Sequence, residues 1–213
     1  MSVMPDLPLL SIYADESCLG NGREGENPGG AAGVVEFVKG KSGELTRWDY
    51  WVSEPATTNN RMALRSAIMA FTSIAKKERR FRVRFTSDSR YLVDGMKSWV
   101  HTWIKQNWRR KTGAIENLAL WQEAVELVDL HKVQWEWVRG HAGHAQNEYA
   151  DHLATRAARE QDMSNGLVES GFDAWLVSEK QVGREHQPAV FPASEDFRPD
   201  RPFPRRPQRE PTA

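Results

Sequence analysis

Short runs in which apolar and polar residues alternate, or in which β-branched and aromatic residues dominate, predict β-strands in this chain. Five such runs cover residues 9–14, 31–38, 45–53, 82–87 and 132–138. The glycines of residues 39–43 predict a tight turn between the second and third runs. The first three strands are therefore expected in hairpin order.

Helical periodicity fills most of the chain between and after the later strands. Thr57–Asn60 offers N-cap residues to a helix that runs to about Lys76, and Asp88-Ser89 begins another helix. Further helical patterns cover residues 116–129 and 145–160. Strands in hairpin order followed by strands that alternate with helices predict an α/β fold, with a mixed five-stranded sheet flanked by helices.

Composition changes near residue 161 and divides the chain into three parts. Residues 1–161 carry the predicted sheet and form the expected catalytic domain. Residues 162–183 form an extension with an additional helix predicted over 167–181. Residues 184–213 hold seven of the eleven prolines together with several arginines, and this composition predicts a disordered tail.

Charge and cysteine content limit the classes of protein. The 213 residues have a formal net charge of +0, but a neutral total does not exclude nucleic acid, since the distribution of charge decides binding. A single cysteine, Cys18, fits a reducing compartment. We see neither a secretory signal nor an apolar stretch long enough to span a membrane. We expect a cytoplasmic monomer.

Four carboxylates stand at predicted strand ends and at a helix start. Asp15 and Glu16 follow the first strand, Asp88 follows the fourth, and Asp151 lies beyond a loop rich in glycine and histidine. Hard divalent cations prefer oxygen ligands and leave positions open for water and phosphate. This pattern predicts a metal-dependent enzyme that cuts phosphodiesters.

A basic stretch rich in tryptophan, residues 97–111, predicts contact with nucleic acid. It contains no acidic residue, and cations that neutralise phosphates give an affinity that falls with salt. The candidate contacts are Lys105, Arg109, Arg110 and Lys111. Tryptophans at helical or strand spacing are expected in the core instead, namely Trp99, Trp103, Trp121, Trp135 and Trp137.

Several blocks of the chain from about Leu9 to Glu160 resemble type 1 ribonucleases H. The matching blocks, in the family's order, are residues 12–15 with 17–21, 58–62, 86–89, 135–144 and 147–151. The resemblance implies a ribonuclease H-like fold and cleavage of the RNA strand of RNA–DNA hybrids to 5′-phosphomonoesters. It also implies two Mg²⁺ ions, for which Mn²⁺ can substitute, held by Asp15, Glu16, Asp88 and Asp151.

One departure from the family pattern affects the metal ligands. The family continues Thr-Asn-Asn-Arg-Met with a glutamate ligand, where this chain has Ala63, and usually has glycine where this chain has Glu16. In type 2 ribonucleases H the glutamate directly follows the first aspartate. We hypothesise that Glu16 replaces the carboxylate missing at position 63. The alternative is an introduced or natural loss of activity that leaves a non-catalytic hybrid-binding module.

The geometry of a β-strand restricts the hypothesis that Glu16 replaces the carboxylate missing at position 63. Neighbouring residues on a regular strand point to opposite faces of the sheet. We therefore expect Glu16 to join Asp15 only where the first strand has ended or bulges.

The remaining candidate residues follow from the matching blocks. Resemblance assigns His141 a role in proton transfer or product release, which suits a side chain that titrates near neutrality. Asn21, Asn59 and Asn60 are candidates for sensing 2′-hydroxyls, because amides both donate and accept hydrogen bonds. Thr58 is expected either to bind a DNA phosphate or to cap a helix. Arg90 stands where the family often has glutamine, and as a pure donor it is expected to contact a phosphate.

A third class of function is another nuclease of the same broad fold, such as a junction resolvase or an integrase. The asparagine block, the His141 loop and the basic stretch argue against this class.

Overall fold

A mixed six-stranded sheet forms the centre of the protein. The computed structural model describes residues 7–20, 27–40 and 42–205. The strands are β1 (Leu9–Cys18), β2 (Gly29–Val38), β3 (Leu45–Glu54), β4 (Arg82–Ser87), β5 (Lys132–Trp137) and β6 (Val168–Glu169). They lie in the order β5-β4-β1-β2-β3-β6. The five predicted strands are present, and the sixth is a two-residue strand that pairs with β3.

The sheet is flanked by helices on both faces. They are α1 (Asn59–Ala75), α2 (Arg90–Asp94), α3 (Val100–Lys105), α4 (Leu118–Val128), α5 (Ala145–Glu160) and α6 (Phe172–Gln181). A π-helical turn, Gly95–Trp99, joins α2 to α3 without a break. A Cβ atom at Gly95 would collide with the ring of Trp121, so this glycine lets α4 pack closely against the turn. The helix predicted over 167–181 begins at Phe172, because the preceding residues form β6.

Alternation along β1 separates two hydrophobic cores. Ile12 and Ala14 belong to the larger core, which α1, α2 and α4 cover, whereas Tyr13 belongs to a smaller core under α5 and α6. Even-numbered residues of β1 therefore face α1, and odd-numbered residues face α5.

The extension after residue 161 is tied to the sheet by a buried carboxylate. Asp49 of β3 is 3% exposed and accepts hydrogen bonds from the Tyr149 hydroxyl at 2.5 Å, the Ser170 hydroxyl at 2.6 Å and the Gly171 amide at 3.0 Å. Three donors compensate for burial of the carboxylate, and they fix the start of α6 against α5.

The expectation of a disordered tail is wrong for residues 184–205, which lie along the domain. We call residues 187–203 the C-terminal strap. Ala189 exchanges hydrogen bonds with the Gln146 side chain of α5. Further along, the Asp200 amide donates to the Val133 carbonyl at 2.8 Å, and Asp200 Oδ2 accepts from the Trp135 amide at 2.7 Å. The strap thus occupies the outer edge of β5. Residues 206–213 lie outside the described residues.

In the described ranges, no helix combines the length and the apolar character that crossing a membrane requires.

Candidate active site

The site lies where β4 ends beside β1. The parallel pairing of β1 and β4 ends at Ala14 and Ser87. Asp15 directly follows Ala14, and Asp88 directly follows Ser87. Ends of adjacent parallel strands meet at one edge of a sheet, which brings the two carboxylates together.

The expected end of β1 was wrong, since the strand continues to Cys18 in regular antiparallel pairing with β2. Asp15 pairs with Ala32 and Glu16 with Ala31. Neither a strand end nor a bulge in this pairing is what brings Glu16 to the site. On the other edge of β1, pairing with β4 stops at Ala14, which leaves a gap beside Asp15 and Glu16. A side chain from either face of the sheet can extend into that gap.

Three carboxylates converge in the gap. Single carboxylate oxygens of Asp15, Glu16 and Asp88 all lie within 4.8 Å of one another. The Glu16 amide also donates to Asp15 Oδ1 at 2.7 Å. Oxygen ligands this close are the donor set that a hard divalent cation prefers.

The electrostatics of the cluster favour a cation. Burial, and then the charges of Asp88, Glu16 and Asp151, raise the pKa of Asp15. Burial and the charge of Asp88 raise the pKa of Glu16 to about 8, and burial likewise raises that of Asp88. Like charges held together in a poorly solvated place cost free energy unless a proton or a cation shares them.

Position 63 lies on the same side of the sheet as Glu16. Ala63 is fully buried in the α1-side core, which also contains Ala14, and the even-numbered Glu16 projects from β1 toward that side. A carboxylate from residue 16 therefore enters the site from the side on which a glutamate at position 63 would stand.

Asp151 and His141 lie near the cluster, since the charges of both act on Asp88. Asp151 is not one of the three tightly grouped carboxylates, but its charge raises the pKa of Asp15. Burial raises the pKa of Asp151 itself, and the charge of His141 opposes that shift. The His141 side chain is 77% exposed, and its Nδ1 lies 3.6 Å from Glu148 Oε2. An exposed imidazole beside carboxylates can exchange protons with solvent.

Asn147 is a residue of the site to which the sequence analysis gave no role. Its side-chain Nδ2 donates to Asp15 Oδ2 at 2.6 Å, and the residue is 3% exposed. The available signal was its spacing of four residues from Asp151, which puts both side chains on one face of α5. The hydroxyl of Ser89, at the start of α2, similarly bonds to Glu16.

The predicted residues at the start of α1 lie together. Thr58 caps the helix, and its hydroxyl accepts from the Arg61 amide at 3.3 Å. Asn59 and Asn60 form the first turn, and the buried Oδ1 of Asn59 has no partner within the described residues. Asn21 lies outside the described residues.

The predicted basic residues surround the end of α3. Lys105, Arg109, Arg110 and Lys111 are all exposed. Arg110 lines a cleft of about 450 Å³ together with Trp99 and Trp103. Trp99 is 39% exposed, so its expected place in the core was wrong, and its ring forms part of the cleft instead.

Trp137 was also expected in the core, and it lies at the surface because β5 ends there. It is 40% exposed. Its indole Nε1 donates to the Asp88 carbonyl at 2.9 Å. The guanidinium carbon of Arg90 lies 3.8 Å from the centroid of its ring. Trp135 and Trp121 are buried as expected.

Comparison with known proteins places the site in context. The family model described as RNase H matches residues 9–159. The chain is 42% identical over 148 residues to the ribonuclease H of Stutzerimonas stutzeri (strain A1501), covering 69% of this chain and 89% of that protein. It is 37% identical over 172 residues to ribonuclease HI of Shewanella oneidensis, covering 80% and 99%.

A solved structure matches nearly the whole chain. It is the crystal structure of LC9-RNase H1, described as a type 1 RNase H with the type 2 active-site motif. The identity is 57%, the TM-score is 0.90, and the match covers 99% of this chain and 100% of that one. The similarity includes the extension and most of the strap.

Proposed function

This chain belongs to the RNase H family, and on that premise we propose that it is an endoribonuclease that hydrolyses the RNA strand of RNA–DNA hybrids with divalent metal ions. The observation that carries the proposal is the convergence of Asp15, Glu16 and Asp88 within 4.8 Å. Such a site suits phosphodiester hydrolysis, because a cation held there has open positions for phosphate and water.

Asp15, Glu16, Asp88 and Asp151 would hold two Mg²⁺ ions, or Mn²⁺ in their place. The fit rests on the chain's own residues, since the pKa of each of these carboxyl groups is raised above its ordinary value. Burial is the main cause of each raised pKa, and cations would stabilise the ionised carboxylates against both the burial and the repulsion between them. When bound, the ions would supply an activated water and neutralise charge on the departing oxygen.

Glu16 is proposed as the ligand that replaces the glutamate missing at Ala63. Its carboxylate lies within the cluster, and it approaches from the α1 side of the sheet. The type 2 active-site motif described for LC9-RNase H1, at 57% identity, supports this assignment. The alternative of a non-catalytic binding module needs a site short of one ligand, and the position of Glu16 argues against it.

His141 is proposed to move protons at the edge of the site. Its side chain is largely exposed and lies near Glu148, and the residue has a φ of 51°. A non-glycine residue in this conformation is uncommon, and it occurs at helix ends as well as in functional loops. An imidazole in this position can pass a proton to the departing oxygen and recover it from solvent.

The first turn of α1 is proposed to sense ribose. Asn59 is half-buried in this turn, and its amide could exchange hydrogen bonds with a 2′-hydroxyl, which a deoxyribose lacks. Asn60, Asn21 and a phosphate contact by Thr58 complete this proposed surface. The hydroxyl of Thr58 can still donate to a phosphate while it accepts from Arg61.

The basic residues after α3 are proposed to hold the DNA strand. Lys105, Arg109, Arg110 and Lys111 are exposed at and after the end of α3, and Arg110 lines the cleft that Trp99 and Trp103 also line. Cations there neutralise phosphates, and the exposed indole of Trp99 offers a flat surface to sugars or bases. The cytoplasmic location and the monomeric state stay predictions.

The test is cleavage of a labelled RNA–DNA hybrid with Mg²⁺, with Mn²⁺ and with EDTA. We expect metal-dependent cuts in the RNA strand alone, leaving 5′-phosphates, and none in a DNA duplex of the same sequence. Tight hybrid binding without cleavage under either metal would establish the binding module instead. Cleavage of the DNA duplex would favour a nuclease of the resolvase or integrase type.

A further inference from the structure

Arg90 differs from four arginines of β3, β4 and α1 in how its charge is compensated. Arg47, Arg61, Arg65 and Arg84 each form an ion pair with a glutamate, at 2.5–2.8 Å. Within the described residues, Arg90 has no such carboxylate partner, and its guanidinium carbon lies over the ring of Trp137, 3.8 Å from the centroid. Stacking leaves all the N–H groups at the guanidinium edge free to donate.

Trp137 links this arginine to the catalytic cluster. The indole Nε1–H of Trp137 donates to the carbonyl of Asp88. The indole ring contacts Arg90, which is two residues after Asp88. One side chain thus contacts both the backbone of a carboxylate of the cluster and a free cation. The main chain that carries the indole is fixed to β4, because the Val138 amide donates to the Ser87 carbonyl at 3.1 Å.

We propose that Trp137 is a positioning residue for Arg90. Its indole ring holds the guanidinium flat, so that the guanidinium edge binds a phosphate of the hybrid beside the carboxylate cluster. This inference rests on the proposed function for the identity of the substrate. Arginine suits the role, because a planar fork of donors matches phosphate oxygens and a stacked guanidinium loses little freedom when it binds.

The proposal separates the two contacts of Trp137. The ring acts on binding through Arg90, and the Nε1–H acts on Asp88. Trp137→Phe keeps an aromatic surface and removes the donor, whereas Trp137→Gln removes the surface and keeps an N–H group. The two variants should therefore affect hybrid binding differently even though they change the same residue.

The experiment measures hybrid affinity by fluorescence anisotropy in EDTA over a range of salt concentrations, so that it does not depend on cleavage. Trp137→Gln and Arg90→Ala should each weaken binding about tenfold and reduce the slope of log affinity against log salt by about 1. Trp137→Phe should stay within about threefold of the unmodified protein. Arg159→Ala, which removes an exposed cation at the far end of α5, is the matched control and should change little.

A double variant tests whether Trp137 acts through Arg90. Trp137→Gln combined with Arg90→Ala should bind no more weakly than Arg90→Ala alone, because the ring has then lost the group that it positions. Additive losses, or unchanged affinity in either single variant, would overturn the proposal. A loss that varies with the base sequence would overturn the phosphate assignment, since phosphate contacts carry no sequence information.

Arg90→Lys covers the case in which Trp137→Gln does not fold, which thermal unfolding would reveal. Lysine keeps the charge but stacks poorly and lacks the planar fork. We expect it to bind nearly as weakly as Arg90→Ala, and binding equal to that of the unmodified protein would contradict the proposal. If the unmodified protein binds hybrids without cutting them, the proposed activity is refuted. The role of Trp137 is then still decided by the measured hybrid affinities of the Trp137 and Arg90 variants.

Discussion

Asn147 orients the carboxylate of Asp15, with its side-chain Nδ2 2.6 Å from Asp15 Oδ2. The asparagine is buried on α5 and the aspartate on β1, so the bond joins the helix to the strand directly at the proposed metal site. An amide donor stabilises the ionised carboxylate and fixes which oxygen faces the neighbouring carboxylates.

Asn147→Ala should lower hybrid cleavage by about 10–100-fold at fixed Mg²⁺, the usual cost of removing a residue that orients a metal ligand. Part of the loss should be recovered at higher Mg²⁺, because weaker metal binding is one of its causes. Initial rates over a Mg²⁺ titration measure both effects. Asn165→Ala, an exposed amide outside the site, is the control. Equal rates for the two variants would refute the role of Asn147.

Glu16→Gln should reduce cleavage by at least about 100-fold, since residues that only orient ligands already cost about 10–100-fold. Hybrid affinity in EDTA should stay within a few fold of that of the unmodified protein, because the change removes no cation. The same variant should raise the melting temperature of the metal-free protein near neutral pH, because folding no longer has to protonate this carboxyl group, whose pKa is raised to about 8, or to bury its charge beside Asp88.

Glu123→Gln is the matched control for that experiment, since Glu123 is exposed on α4. It should leave the rate, the affinity and the melting temperature unchanged. Full activity of Glu16→Gln would show that the glutamate missing at Ala63 has no replacement at residue 16.

Much of the fold could be predicted because the elements carry strong periodic signals. The alternation in residues 132–137 and the helical pattern in 145–160 both match the structure. β6 has only two residues, too short for a period to be seen. The true end of β1 was missed because Asp15 and Glu16 are polar, yet the pairing with β2 carries the strand through them to Cys18.

The site was harder to predict where contacts come from distant parts of the chain. The four carboxylates stand out in the sequence, but the role of Asn147 depends on the packing of α5 against β1. Trp137 continues the alternation of buried residues in β5, and only the end of that strand places it at the surface. For the strap, proline and arginine content predicted disorder, and composition contains no sign of the contacts made by Asp200.

The buried His131 should make stability depend on pH. Burial, assisted by Arg80, lowers the pKa of His131 to about 4, and its Nδ1 accepts from the Phe81 amide at 3.2 Å. The unfolded chain binds a proton near pH 6.5, whereas the folded one resists it until about pH 4. This group therefore favours folding above pH 6.5, and its contribution is lost as pH falls from 6.5 toward 4.

His131→Asn keeps an acceptor near the position of Nδ1 and cannot be protonated. Between pH 7 and 4.5 its melting temperature should fall less than that of the unmodified protein. His152→Asn changes an exposed histidine. Its melting temperature should depend on pH in the same way as that of the unmodified protein. Parallel curves for the His131 variant and the unmodified protein would mean that His131 is protonated equally in both states.

The strap should stabilise the domain by completing the edge of β5. Asp200 accepts the Trp135 amide and lies 3.5 Å from Lys97, while the Phe203 ring packs on His101 at 5.2 Å between centroids. Asp200→Ala leaves a backbone donor of an edge strand without its partner, at a cost of about 1–3 kcal/mol of unfolding free energy. Asp200→Asn keeps an acceptor and should cost less than the alanine.

Urea unfolding of these variants and of Glu195→Ala, an exposed carboxylate of the strap, measures the difference. The glutamate variant should match the unmodified protein within about 0.5 kcal/mol. Phe203→Ala should also destabilise, through lost packing against His101 rather than through a hydrogen bond. If Asp200→Ala and Glu195→Ala unfold at the same urea concentration, the strap does not hold the edge of β5 in solution, and residues 187–203 behave as the tail that their composition predicts.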